Sequence, residues 1–140
     1  MPAFRKTAVS VKVNASVSTT WKYFTSPDSI MKWNFASDDW CCPKATIDLR
    51  EGGSFNYRME SKDGKYGFDF SGTYTAVIPE KRIVYTLGDE REVSVAFRTV
   101  GEQTEVIENF DAETENSLEL QKNGWQAILD NFRKHAESIK

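Results

Sequence analysis

The feature that most limits what this chain can fold into is a change of hydrophobic period near residue 116. Before it, apolar residues recur mostly at every second position, as in Val9-Val11-Val13, Phe55-Tyr57-Met59 and Val93-Val95-Phe97. After it, Leu118, Trp125, Ile128, Leu129, Phe132, Ala136 and Ile139 fall at helical spacing over more than five turns. A run of half-buried strands is therefore followed by one long amphipathic helix. The sheet has a face to bury, and that helix is the large apolar element left to cover it. This predicts an α+β fold.

The stretch between the first strand and the later ones adds two short helices. Asn14 or Ser16 can cap a helix whose apolar face is Val17, Trp21 and Phe24. Pro27 stops it and opens another, with Asp28 near its positive end and Ile30, Met31 and Trp33 buried. Ile47 and Leu49 alternate into an Glu51-Gly52-Gly53 turn, and Phe55, Tyr57 and Met59 form the second arm of a hairpin. Asp63-Gly64 marks the next tight turn. Tyr66, Phe68, Phe70 and Tyr74 follow, with Gly72 suggesting a bend or bulge. Short strands at Ile83–Leu87, around Val95 and around Val106–Phe110 complete what reads as an antiparallel meander. No linker or repeat interrupts it, so one domain is expected across residues 1–140.

Charge and cysteine content narrow the function. The net charge is -3, with 18 basic residues scattered among 21 acidic ones, so a phosphate-binding stripe for nucleic acid is not expected. No apolar run reaches membrane-spanning length or resembles a signal peptide, which predicts a cytoplasmic protein without membrane insertion. Cys41 and Cys42 are adjacent, a spacing that allows only a strained disulfide. With one histidine, His135, they cannot build a four-ligand zinc site of soft donors. No metal or cofactor is expected, and the cysteines read as thiols beside a pocket. A hydrolase triad would also need a nucleophile elbow, and none is present.

What the chain has in excess is aromatic side chains: nine Phe, five Tyr and four Trp. Trp33, Trp40, Phe55, Tyr57, Phe68, Phe70, Phe97, Trp125 and Phe132 can serve as core or as the wall of a cavity. Gly124 beside Trp125 costs the helix about 1 kcal/mol relative to Ala; close approach of the helix to sheet or ligand would explain it.

Several segments, in order, resemble the START-like helix-grip superfamily (SRPBCC), in the branch related to the activator of the heat-shock-protein-ninety ATPase. They are NASVSTTWKYFTSP after Val11 and Val13, DSIMKW ending at Trp33, IDLREGGSFNYRM with Gly52 and Gly53 at its turn, GTYTAVIPEKRIVYT, and NGWQAILDNFRKH with Gly124 and Trp125. The resemblance covers nearly the whole chain. It implies a curved antiparallel sheet wrapped around a long C-terminal helix, with an internal apolar cavity between them. It implies no reaction, because the superfamily spans lipid carriers, hormone receptors, cyclases and chaperone regulators.

Three readings follow. The first is binding of a small apolar molecule between the inner strand faces and the Trp125, Ile128, Leu129 and Phe132 face of the helix, with Trp33 and Trp40 lining or gating the opening. The second is an enzyme of the cyclase, dehydratase or hydrolase type, using Asp69 or Glu108 in the cavity with Tyr57 or Tyr66 as proton donor; a buried carboxyl would have a raised pKa. It requires an inward carboxylate, whereas a solvated outward position is the ordinary one for a strand residue. Arg58 and Arg98 are, by the same uncertainty of register, possible anchors for an anionic head. The third is a protein-interaction module resembling the chaperone-ATPase activator, with a filled interior, an exposed apolar patch outside the cavity and a protein partner. Monomer and dimer are both compatible with the sequence.

Overall fold

The computed structural model describes residues 5–138; Ile139 lies outside them. Its elements run β1 (Lys6–Val13), α1 (Val17–Thr25), α2 (Pro27–Trp33), β2 (Trp40–Ile47), β3 (Ser54–Ser61), β4 (Gly67–Ile78), β5 (Arg82–Leu87), β6 (Glu92–Val100), β7 (Gln103–Asp111) and α3 (Leu118–Ser138). This is the predicted α+β helix-grip architecture: a curled antiparallel sheet of seven strands, a long C-terminal helix and two short helices after the first strand.

The strands lie in the order β1-β7-β6-β5-β4-β3-β2. From β2 to β7 the sheet is the expected meander. β1 departs from it, pairing with β7 from Lys6↔Asp111 to Val13↔Thr104, because α1 and α2 carry the chain from one edge of the sheet to the other before β2 begins. Ser16, not Asn14, caps α1, accepting a hydrogen bond from the Thr19 amide at 3.2 Å. Pro27 occupies the first turn of α2, where its missing N–H leaves no intrahelical bond unmade.

Period-2 alternation places Val9 and Val13 of β1, Val93, Val95 and Phe97 of β6, and Val106 and Phe110 of β7 on the inner face, all buried. Against them pack Leu129, Phe132 and Ala136 of α3, also buried. Polar ties hold α3 in place. Gln126 Nε2 donates to the Ser10 carbonyl at 3.1 Å, Asn131 Nδ2 to the Phe35 carbonyl at 2.6 Å, and the Asn14 amide to Glu137 Oε2 at 2.7 Å.

Four local expectations are corrected; the first is Met31, which is exposed on α2 while Ile30 and Trp33 are buried as expected. The strand anticipated around Ile47 and Leu49 starts earlier, at Trp40, and ends at Ile47, so Cys41, Cys42 and Pro43 belong to it. Its pairing with β3 skips between Cys41 and Lys44. Pro43 has no N–H to give the ladder and is tolerated here because β2 is an edge strand with an irregularity. The alternation on which the sequence reading relied, Ile47 and Leu49, lies after the skip and so marked only the end of the strand. Gly72 marks close packing rather than the bulge itself. A Cβ there would lie 2.7 Å from the Thr86 carbonyl oxygen and 2.9 Å from the Phe55 ring, while the register shift falls between Tyr74 and Ala76. Gly124 is not a point of close approach, since a Cβ built on it meets nothing within 4 Å.

Among the described residues, no helix is long and apolar enough to cross a membrane, and no group of three His, Cys, Asp or Glu side chains is placed to hold a metal ion.

Candidate functional site

Sheet and α3 do not meet everywhere. A cavity of about 290 Å³ remains between the inner faces of β3, β4 and β5, the α1–α2 corner and the N-terminal half of α3. Its apolar wall consists of Phe24, Trp33, Ile47, Met59, Phe68, Phe70, Ile83, Trp125 and Ile128. Trp125 is held in place by Phe110, with ring centroids 4.0 Å apart and planes within 6°. Phe24, Trp33 and Phe132 form a cluster behind it, with centroids 5.0–5.3 Å apart. Such offset and edge contacts fix ring positions beyond what area burial alone would do.

The polar part of the wall is Thr25, Asn34, Tyr57, Tyr74, Tyr85, Arg91 and Glu108. Thr25 and Asn34 are engaged, Thr25 Oγ1 donating to the Trp21 carbonyl at 2.8 Å and Asn34 Nδ2 to Met59 Sδ at 3.3 Å. Arg91 pairs with Asp89 at 2.7 Å. Glu108 is only 8% exposed, and among the described residues no hydrogen bond or ion pair reaches its carboxyl. Burial pushes its pKa from 4.5 up to about 8, because an ionised carboxylate would lose water without gaining a partner. Burial also drives the Tyr57 and Tyr85 hydroxyls well above their usual range; the Tyr74 hydroxyl beside Tyr57, and the Glu108 charge near Tyr85, push the same way. Tyr74 is likewise raised by burial.

Of the wall residues expected from the sequence, Trp33, Tyr57, Phe68, Phe70, Trp125 and Ile128 lie on the cavity. Phe55, Phe97, Leu129 and Phe132 are packed in the core beside it. Phe55 is enclosed by Tyr57, Tyr74 and Tyr85, and Phe97 by Trp21 and Phe24. Trp40 is half-buried and rests against the exposed Phe68, with centroids 5.9 Å apart, instead of forming the wall.

The candidate acid–base residues divide. Asp69 points to solvent, 56% exposed and 3.7 Å from Arg58, and Tyr66 is 68% exposed. Both are out of the cavity because they sit on the opposite parity, or outside the strand, from Phe68 and Phe70. Glu108 and Tyr57 are in it. Arg58 and Arg98 are also outside, paired with Glu60 and Glu105 at 2.9 and 2.8 Å. The arginine that reaches the cavity is Arg91, which sits in the β5–β6 turn, where no periodicity could flag it. Tyr85 could have been found, since it shares the parity of Ile83 and Leu87. Cys42 is buried, and burial raises its thiol pKa above the ordinary value, as suits an unreactive packing thiol.

A family described as "Activator of Hsp90 ATPase homolog 1-like protein" matches residues 14–137. Among solved structures, the chain is similar to an AHSA1-like protein from Aeromonas hydrophila, 40% identical over 94% of this chain and 93% of that one, with a TM-score of 0.86. A protein from Cytophaga hutchinsonii is 44% identical, covering 95% and 92% of the two chains at a TM-score of 0.83. A protein from Nitrosomonas europaea shares the fold at 18% identity, with 99% and 97% covered and a TM-score of 0.81. No curated protein matches the chain.

Proposed function

The chain belongs to the family of Activator of Hsp90 ATPase homolog 1-like proteins, and from that premise we propose that it binds a small, largely apolar molecule in the cavity between its sheet and α3. The observation that carries this reading is the gap itself: about 290 Å³ walled mainly by aromatic and aliphatic side chains. Small-molecule sites run from about 300 Å³ upward, so the occupant is compact. Close packing is the default for an interior, and a protein-docking module has no need of an opening in its core. The large apolar side chains exposed at the surface, Met31, Tyr66, Phe68, Ile78 and Leu120, are spread over α2, the start and end of β4, and α3. They supply weaker support for the protein-interaction reading than the cavity does for ligand binding.

Native mass spectrometry of freshly purified protein, followed by titration with an environment-sensitive apolar dye, tests the proposal. A co-purifying small molecule, or saturable binding of one dye per chain that Ile128→Trp abolishes by filling the space, is the expected result. Dye binding that is absent, or indifferent to Ile128→Trp, would count against it.

One observation favours a second reading. Glu108 lies in the cavity near Tyr85, protonated at neutral pH, as a general acid in a cyclase, dehydratase or hydrolase would be. Turnover of a β-dicarbonyl or activated ester that falls as pH rises through about 8, and is lost in Glu108→Gln, would establish it. Turnover unchanged by that substitution would end it.

A further inference from the structure

The inner row of β7 is Thr104, Val106, Glu108 and Phe110. Three of these behave as interior residues should. Val106 and Phe110 are packed, and the Thr104 hydroxyl donates to the Ala15 carbonyl at 2.9 Å. Glu108 alone brings polar atoms inward with no partner among the described residues. Its strand neighbours across the ladder are Val9 on β1 and Val95 on β6, both buried and apolar, and its side chain ends at the cavity. A largely buried carboxyl without a protein partner costs stability, and a ligand with matching hydrogen bonds relieves that cost.

The charge state says which hydrogen bonds those are. With its pKa at about 8, the carboxyl is neutral at pH 7 and presents one O–H donor and one C=O acceptor in a single plane. Arg91 is already paired with Asp89. The hydroxyls of Tyr57, Tyr74 and Tyr85 are all shifted upward, so between pH 7 and 9 the group on the cavity wall that titrates is Glu108. From α1, α2 and α3 the cavity receives Phe24, Thr25, Trp33, Asn34, Trp125 and Ile128, none of which ionises. An ammonium ion would pair with Glu108 only after the carboxyl gave up its proton to solvent, a cost set by the gap between its raised pKa and the pH. A carboxylate would offer two acceptors to a group needing a donor as well.

We propose that the ligand is a compact neutral amide, a carboxamide or lactam, whose C=O and N–H engage the Glu108 carboxyl in a two-point hydrogen bond while its apolar body lies against Trp33, Phe70, Trp125 and Ile128. This rests on the ligand-binding reading of the cavity and adds to it a polar class and the residue that selects it.

Isothermal titration of the whole chain with four probes of one skeleton tests it: 2-naphthamide, 2-naphthoate, 2-naphthylmethylamine and 2-methylnaphthalene. At pH 6.5 the amide binds at least tenfold more tightly than the hydrocarbon. By pH 9 that advantage shrinks about tenfold as Glu108 ionises. In Glu108→Gln, which keeps a donor and an acceptor, the amide advantage persists at both pH values. In Glu108→Leu it disappears while 2-methylnaphthalene still binds, which also shows that the variant is folded. Equal binding of amide and hydrocarbon to the unmodified protein overturns the amide inference and leaves the cavity reading standing. Preference for the amine overturns it in favour of an ionised Glu108, and preference for the naphthoate in favour of Arg91 as the anchor. If none of the four binds, the cavity reading falls and the inference with it.

Discussion

Replacing Glu108 with glutamine isolates the energetic consequence of placing one carboxyl on an apolar wall. In the unfolded chain Glu108 titrates at its ordinary value of 4.5, whereas in the fold it titrates at about 8. The folded state therefore binds more protons than the unfolded state between these two values, and stability must fall as pH rises through that window. The stability is fully present below pH 4.5 and lost by the time pH passes 8. At about 1.4 kcal/mol for each tenfold change in proton activity, the whole window is worth about 5 kcal/mol, of which about 4 kcal/mol falls between pH 5 and pH 9. Glutamine has nearly the same shape and cannot ionise, so every other titrating group is common to the two proteins and cancels in their difference. Urea unfolding at pH 5, 7 and 9 should show the variant gaining on the unmodified protein by about 4 kcal/mol across the series, a divergence of roughly 10 °C in Tm for a chain of this size. Stability profiles that run parallel within about 0.5 kcal/mol would mean that Glu108 is solvated in the fold, and the reasoning from desolvation would be refuted.

Gly124→Ala should stabilise the protein by about 1 kcal/mol in urea unfolding, because the added methyl meets nothing within 4 Å and the helix interior prefers alanine. The opposite sign is expected for Gly72→Ala, whose methyl would strike the Thr86 carbonyl and the Phe55 ring. A loss of about 1–3 kcal/mol from overpacking should appear in the same assay. Phe132→Ala removes a fully buried ring that joins α3 to Phe24 and Trp33, and about 3–5 kcal/mol should be lost, with the urea m-value unchanged. Ser16→Ala deletes the cap of α1 and should cost about 1 kcal/mol.

The change from period 2 to period 3.6, with the caps and prolines, was enough to determine the α+β class and most elements of this chain, though not the extent of β2. It works because side-chain direction along a strand or helix is a local property. For the same reason the inward position of Glu108 was readable in principle: it lies two residues from Val106 and two from Phe110, and a strand that buries both must bury the residue between them. Treating a carboxylate as solvated by default hid it. The skip in β2 at Pro43 was not readable, since a register shift depends on the partner strand. Nor was the role of Arg91, which a turn places beside residues far away in the sequence. Above all, tertiary structure decided which aromatics became packing and which became wall. Phe55, Phe97, Leu129 and Phe132 carry the same pattern as Phe70, Trp125 and Ile128, and what separates the two sets is how closely a curled sheet and a long helix approach one another at each point. That distance is set by the sum of all side-chain volumes between them, a quantity that no window of neighbouring residues contains.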